Sequence, residues 1–100
     1  MEDYCKILQN FIDNDEEKVV IFVDNSKDSE RIKKFIEKNE DKIAEITNFV
    51  VVEKEGCGHI IPSNVNKFPT IRYIKNNKII KEGYGLDGFS EVLSEIAKNE

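Results

Sequence analysis

The chain has 100 residues, with 15 Lys or Arg, 20 Asp or Glu and a formal net charge of −5. Hydrophobic residues make up 39% and charged residues 35%, which is typical of a globular protein and not of a disordered one. The length predicts a single domain over residues 1–100. The basic residues are scattered among the acidic ones, so a nucleic acid is not expected as a partner.

The N-terminal residues Met1–Lys6 carry acidic side chains where a secretory signal would carry positive charge before an apolar run. No stretch reaches the roughly 18 apolar residues of a membrane-spanning helix. We therefore expect a cytoplasmic protein without membrane association. Thiols stay reduced in that compartment, so Cys5 and Cys57 are expected to be free rather than bridged.

The first half of the chain predicts two helices alternating with two strands. Apolar residues recur at helical spacing within residues 3–13 and predict an amphipathic helix. The apolar runs Val19–Val23 and Phe49–Val52 predict strands buried on both faces. Between them, the capping residues of Asp24–Ser29 predict the start of a second helix that continues to Ile46, with a break expected near Asn39.

The second half predicts a hairpin followed by a helix. Thr70–Lys75 and Lys78–Glu82 have the composition of strands, and Asn76-Asn77 fits a type I′ turn. Leu86–Ile96 has the spacing of a final amphipathic helix. Because a strand–helix–strand unit makes a parallel crossover, the whole order predicts an α/β fold with a four-stranded mixed sheet and helices on both faces.

The run Phe68-Pro69-Thr70, a strand, a polar two-residue turn, a strand, Gly83 and a helix resembles the C-terminal half of a thioredoxin. The order of the remaining elements extends this likeness to most of the chain, which is thereby identified as a member of the thioredoxin-like superfamily. The resemblance implies the thioredoxin fold. It also implies that Pro69 is cis and that the backbone beside it binds an extended peptide or a glutathione-like ligand.

The chain departs from the thioredoxin pattern where the active site would be. It has no Cys-x-x-Cys, and the best alignment places Ser26 and Ser29 where the two cysteines would lie. The buried Asp of thioredoxins would fall at Ile21. A serine hydroxyl stays protonated at neutral pH without an adjacent base, so it cannot replace the thiolate that dithiol exchange requires.

The main interpretation from these losses is a redox-inactive thioredoxin-like module that binds a protein or peptide, as a monomer or weak dimer. It is not expected to be an enzyme, and no catalytic residue, cofactor or metal is predicted. Extended partners of such a module would pair with its backbone. The predicted binding residues are Ser26, Ser29, Phe68, Pro69 and Thr70.

An alternative interpretation is an atypical thiol oxidoreductase or redox sensor. Cys57 lies between two glycines just after the second strand, at the sheet edge where open α/β sheets bind ligands. His59 follows two residues later and could act as its base. Cys5, at the start of the first helix, is placed near the same edge by the topology. The sequence leaves open whether Cys57 would act alone or with Cys5.

Overall fold

The structure is a computed structural model that describes residues 3–98. The helices and strands alternate over the first half, and a hairpin precedes the final helix. The third helical segment is only four residues long and has non-helical dihedrals at Glu55 and Gly56. A short 3-10 turn, Gly58–Ile60, follows it. The bounds are α1 Tyr4–Asp13, β1 Lys18–Val23, α2 Lys27–Ile46, β2 Phe49–Glu53, α3 Lys54–Cys57, β3 Thr70–Lys75, β4 Lys78–Tyr84 and α4 Gly85–Lys98.

The four strands form one mixed sheet in the order β2-β1-β3-β4. β2 runs parallel to β1, while β3 runs antiparallel to both β1 and β4. This confirms the predicted α/β fold with a four-stranded mixed sheet. The prediction that Phe49–Val52 is buried on both faces is wrong for most of the strand, because β2 lies at a sheet edge and only Val52 is fully buried.

Each face of the sheet is covered by a separate apolar cluster. On one face, Ile21 and Tyr73 of the sheet pack against α2 and α4 through residues such as Ile32 and Phe89. On the other face, α1 and the segment after β2 cover the sheet. The buried residues of this second cluster are Cys5, Leu8, Val20, Phe22, Val52, Cys57 and Val65.

The two ends of α1 are held in different ways. The side chain of Asp3 caps the N-terminus by accepting a hydrogen bond from the Cys5 backbone N–H at 3.0 Å. At the other end, the buried Lys18 ammonium donates to the carbonyl oxygens of Ile12 and Asn14. A cation is favourable there because the last helical carbonyls are otherwise unpaired.

The hairpin has a tight turn, and its second strand packs directly against the final helix. Asn76 and Asn77 have φ values of 54° and 63°, and positive φ at both positions confirms the predicted type I′ turn. A Cβ at Gly83 would lie 2.6 Å from the Gly88 carbonyl oxygen, so β4 and α4 are in direct backbone contact.

Within residues 3–98, no helix has the length and apolar composition needed to cross a membrane.

Candidate functional site

A disulfide joins Cys5 to Cys57, with their Cα atoms 5.4 Å apart. It connects the first turn of α1 to the end of α3, across 52 residues of sequence. Cys57 follows the carboxyl end of β2, at the sheet edge where the alternative interpretation places it. The expectation that the two cysteines are free thiols is therefore wrong.

The turn before Cys57 depends on a glycine. Glu55 has φ −74° and ψ 115°, and Gly56 has φ 99° and ψ −42°. These dihedrals are near those of a type II β-turn, which requires positive φ at its third residue. A Cβ at Gly56 would meet no atom within 4 Å, so the position requires glycine for its backbone conformation and not for space.

Both cysteines are buried, with 7% of Cys5 and 5% of Cys57 exposed. The Cys5 Sγ atom lies 3.2 Å from the Gly56 carbonyl oxygen. A disulfide sulfur carries no hydrogen, so this contact becomes a hydrogen bond only after reduction, when the Cys5 thiol can donate. The disulfide is therefore largely shielded from an attacking thiol.

Ser26 and Ser29 organise the start of α2. The Ser26 Oγ accepts a hydrogen bond from the Ser29 backbone N–H at 3.3 Å and caps the helix. The Ser29 side chain is fully buried, and its Oγ donates to Asp24 Oδ1 at 2.8 Å. Of the two serines, only the half-buried Ser26 is accessible to a partner.

Asp24 carries the charge of this loop. Burial by itself would raise the pKa of the Asp24 carboxyl, but hydrogen bonds from Ser26 and Ser29 outweigh it and hold the pKa below its ordinary value. Ser26 contributes its backbone N–H, 3.0 Å from Asp24 Oδ1. The loop before α2 thus holds a carboxylate that accepts hydrogen bonds from the Ser26 backbone N–H and the Ser29 hydroxyl.

The proline loop has a cis peptide bond between Phe68 and Pro69. Pro69 and Thr70 are buried, whereas Phe68 is half-buried. The Pro69 carbonyl oxygen accepts a hydrogen bond from the Gly85 N–H at 3.0 Å, and the Thr70 hydroxyl donates to the Lys67 carbonyl. Phe68 therefore offers most of the side-chain surface of this loop.

Lys54 lies between the three loops that the sequence singled out. Its Nζ lies 5.3 Å from the centroid of the Phe68 ring, within range of a cation–π interaction. One cleft of about 360 Å³ is lined by Lys54, Gly58, Val65 and Phe68, among others. A second of about 360 Å³ is lined by Asp24, Asn25, Lys54 and Glu55. The serine loop (Ser26–Ser29), the turn before Cys57 and the proline loop (Phe68–Thr70) thus lie together at the end of the sheet where β1 and β2 finish.

His59 lies in the 3-10 turn that follows Cys57, and its side chain is exposed.

Two features of this site were not predicted from the sequence. The positive φ at Gly56 had a local signal, because Lys54-Glu55-Gly56 ends in the residue that type II turns prefer. The position of Lys54 over Phe68 had none, because that contact depends on the tertiary fold.

No protein-family model matches the chain, and no curated protein matches it. Solved structures do. Thioredoxin from Trypanosoma brucei brucei matches with a TM-score of 0.69 and 21% identity, covering 97% of this chain and 88% of that one. Trichomonas vaginalis thioredoxin matches with a TM-score of 0.73 and 18% identity, covering 100% and 95%. Oxidised thioredoxin O2 from Arabidopsis thaliana matches with a TM-score of 0.71 and 17% identity, covering 94% and 90%.

The protein therefore has the thioredoxin fold. The resemblance to the thioredoxin-like superfamily, drawn from the Phe68–Thr70 run and the order of elements, is confirmed at the level of the fold. At these identities the likeness concerns the fold and not the activity.

The interpretation of the chain as a redox-inactive binding module is wrong. It depended on the missing Cys-x-x-Cys, with serines at positions 26 and 29. The structure contains a bonded cysteine pair elsewhere, joining α1 to the end of α3 at the same sheet edge. The two cysteines are 52 residues apart in sequence and are brought together by the fold, so no short sequence motif marks the pair.

Proposed function

We propose that this protein is an atypical thiol–disulfide redox protein that uses Cys5 and Cys57 as its redox pair. The observation that carries the proposal is the disulfide between them, at the carboxyl edge of the β1–β2 pair. Open α/β sheets bind ligands at that edge. The thioredoxin fold supports the proposal by analogy only, since one fold hosts many functions.

The proposed reaction exchanges this disulfide with a partner dithiol. One partner thiolate attacks a sulfur of the Cys5–Cys57 bond, which breaks as a mixed disulfide forms, and the released cysteine takes up a proton. The second partner thiolate then attacks the mixed disulfide and releases the other cysteine, which is protonated in turn. Two electrons and two protons pass from the partner, which becomes a disulfide, to this protein, which becomes a dithiol.

Within this reaction we assign Cys57 to the mixed disulfide and Cys5 to the leaving group. Cys5 is the second residue of a ten-residue helix, and a helix N-terminus stabilises a thiolate. The Asp3 carboxylate, which accepts from the Cys5 N–H, opposes part of that effect. His59, exposed and two residues beyond Cys57, is the proposed proton donor or acceptor.

Burial favours a sensor over a fast catalyst. Less than a tenth of each cysteine is exposed, so exchange waits for the Lys54–Cys57 turn to open. The partner we propose is a dithiol of a protein or peptide, or two glutathione-like monothiols acting in turn, entering beside Phe68 and Lys54. A cytoplasmic location is part of the same proposal, because reversible disulfides there serve redox sensing or catalysis.

The test is reduction and reoxidation of the folded protein. We expect the oxidised protein to gain two hydrogens in a dithiol buffer without denaturant, and to lose them again when glutathione disulfide is added. Mass spectrometry after rapid alkylation measures both steps, with far-UV circular dichroism as the control for folding. The variants Cys5→Ser and Cys57→Ser are matched controls that cannot form the bond.

A different result would assign the bond a structural role only. If the disulfide resists reduction until denaturant unfolds the chain, and the two thiols reoxidise only on refolding, then the redox proposal fails.

A further inference from the structure

The β2 edge of the sheet has unused backbone groups. The Val19 N–H donates to the Asn48 carbonyl at 2.8 Å, and β1 and β2 pair Val19 with Phe49 in parallel. In a parallel pair, alternate residues direct both backbone groups to the neighbouring strand. Val50 and Val52 therefore bond toward β1, whereas the N–H and C=O groups of Phe49 and Val51 and the N–H of Glu53 point away from the sheet. The Glu53 carbonyl belongs to the N-cap of the Lys54–Cys57 segment.

The other edge is protected in ways that β2 is not. β4 pairs with β3 through an irregular register near Tyr73 and Ile74, and it carries Lys78 and Lys81. Bulges and lysines are common devices against strand addition. β2 is Phe-Val-Val-Val-Glu, regular over its five pairs with β1 and charged only at its last residue.

A groove of about 420 Å³ runs along this edge and reaches both faces of the sheet. Tyr4 of α1, with 66% of its surface exposed, lies on one side. Residues of α2 lie on the other. The full lining is Tyr4, Glu30, Lys33, Lys34, Ile36, Glu37, Val51 and Glu53.

We propose that two copies of this chain pair antiparallel through β2 and join their sheets into one. A twofold axis at Val51 places Val51 opposite Val51 of the partner subunit, and Phe49 opposite Glu53 of the partner subunit. The N–H and C=O of Val51 then pair with those of Val51 of the partner subunit, and the Glu53 N–H donates to the Phe49 carbonyl of the partner subunit. No like charges face each other across the strands, because the single charged residue lies opposite an aromatic one.

The charges of α2 favour a second copy of this chain as the partner that pairs with β2. Lys33 is already paired with Glu30 at 2.9 Å and with Glu53 at 3.1 Å. Lys34 and Glu37 are exposed and three residues apart on the same helix. The twofold axis sets the two α2 helices side by side and antiparallel, so Lys34 faces Glu37 of the partner subunit. The surface is thus complementary to itself.

The association should be weak. Five-residue strands with one helix contact bury an area at the low end of specific interfaces, below about 1,200 Å², where transient complexes lie. We therefore expect a monomer–dimer equilibrium that sedimentation equilibrium resolves at protein concentrations up to about 1 mM. The inference is independent of the redox proposal, and either can fail without the other.

The test compares Val51→Pro with Val51→Thr. Proline removes only an outward N–H, so the ladder with β1 is kept, whereas threonine keeps the N–H in a similar volume. Two hydrogen bonds are lost at the axis, so Val51→Pro should raise the dimer dissociation constant about thirtyfold. Val51→Thr should leave it unchanged. A wild-type chain that stays monomeric, or a folded Val51→Pro chain that dimerises like the wild type, overturns the proposal.

A charge exchange gives a second test that does not alter the strand. Lys34→Glu should weaken the dimer because two acidic helices then face each other, and Lys34→Glu with Glu37→Lys should restore it. Both positions are exposed, so folding is unaffected. If the double variant dimerises no better than Lys34→Glu alone, the proposed orientation is wrong.

Discussion

Replacing both cysteines with serine should lower the free energy of unfolding by about 4 kcal/mol in the chain-entropy model of disulfides. The Cys5–Cys57 bond closes a loop with a sequence separation of 52 residues, so its loss frees a large part of the unfolded chain. Urea unfolding of the oxidised wild type, the reduced wild type and the Cys5→Ser/Cys57→Ser variant measures the effect.

The loss should be local in the folded state. Without the disulfide, Leu8 is the one buried residue left in the N-terminal half of α1, Tyr4–Leu8, while Lys18 still holds the C-terminal end. Amide hydrogen exchange should therefore rise over Lys6–Leu8 and stay slow in β1. A change in unfolding free energy below about 1 kcal/mol, far under the typical range, would contradict this account of the bond.

Glu82→Gln should cost about 3 kcal/mol, because it leaves a buried guanidinium without its counter-charge. The Arg72 side chain is 7% exposed and that of Glu82 is 30% exposed, so the cost lies at the low end of the range for a buried pair. Arg72 Nε donates to Glu82 Oε2, and Nη2 donates to Asn64 Oδ1. Glutamine keeps the shape of the side chain and removes only the charge. Thermal or urea unfolding at pH 7 gives the measurement.

A double variant separates loss of the charge pair from poor packing. Arg72→Met with Glu82→Leu removes both charges together and should recover most of the lost stability, because a buried ion pair is often no better than apolar residues of similar size. A double variant as unstable as Glu82→Gln would show that packing, and not the unpaired charge, sets the cost.

The same pair sets a pH dependence. The Arg72 hydrogen bond is the main cause that holds the pKa of Glu82 below its ordinary value, against the opposing effect of burial. A depressed folded pKa means that this contribution to stability is present above the unfolded value of about 4.3 and is lost as pH falls through the folded pKa. Wild type should lose stability in that window by more than Glu82→Gln does. Parallel curves would contradict the assignment.

Local sequence patterns predicted which helices and strands form better than they predicted how deeply each one is buried. The helical spacing in residues 3–13, the apolar run Val19–Val23 and the Asn76-Asn77 turn each contain their own signal. The burial of β2 did not follow from its sequence. An apolar run looks the same at an edge as at the centre, and the edge position is set by the order of the whole sheet.

The site was less accessible to sequence reasoning. Ser26 caps α2, a role that its residue type indicates, whereas its predicted role in binding stays a prediction. The bond between Cys5 and Cys57 follows from the packing of α1 on the sheet, which no spacing encodes. The absence of Cys-x-x-Cys favours the redox-inactive interpretation, but it excludes only one position for a dithiol. The alternative interpretation, in which Cys57 acts alone or with Cys5, follows from the order of the elements.

The stability of the disulfide and its ease of reduction are linked. Whatever free energy the bond adds to the folded state also makes it harder to reduce there than in the unfolded chain, and about 4 kcal/mol corresponds to roughly 85 mV for two electrons. Redox activity therefore requires that the potential stay within the physiological range despite this shift.

The midpoint potential of the native Cys5–Cys57 couple tests the redox proposal most directly. It is measured by equilibrating the folded protein in graded dithiol–disulfide buffers and alkylating the free thiols before mass spectrometry. We expect a two-electron transition above about −300 mV, within reach of cellular thiol pools. A disulfide that stays fully oxidised at potentials below about −300 mV would be structural, and the protein would not be a redox protein.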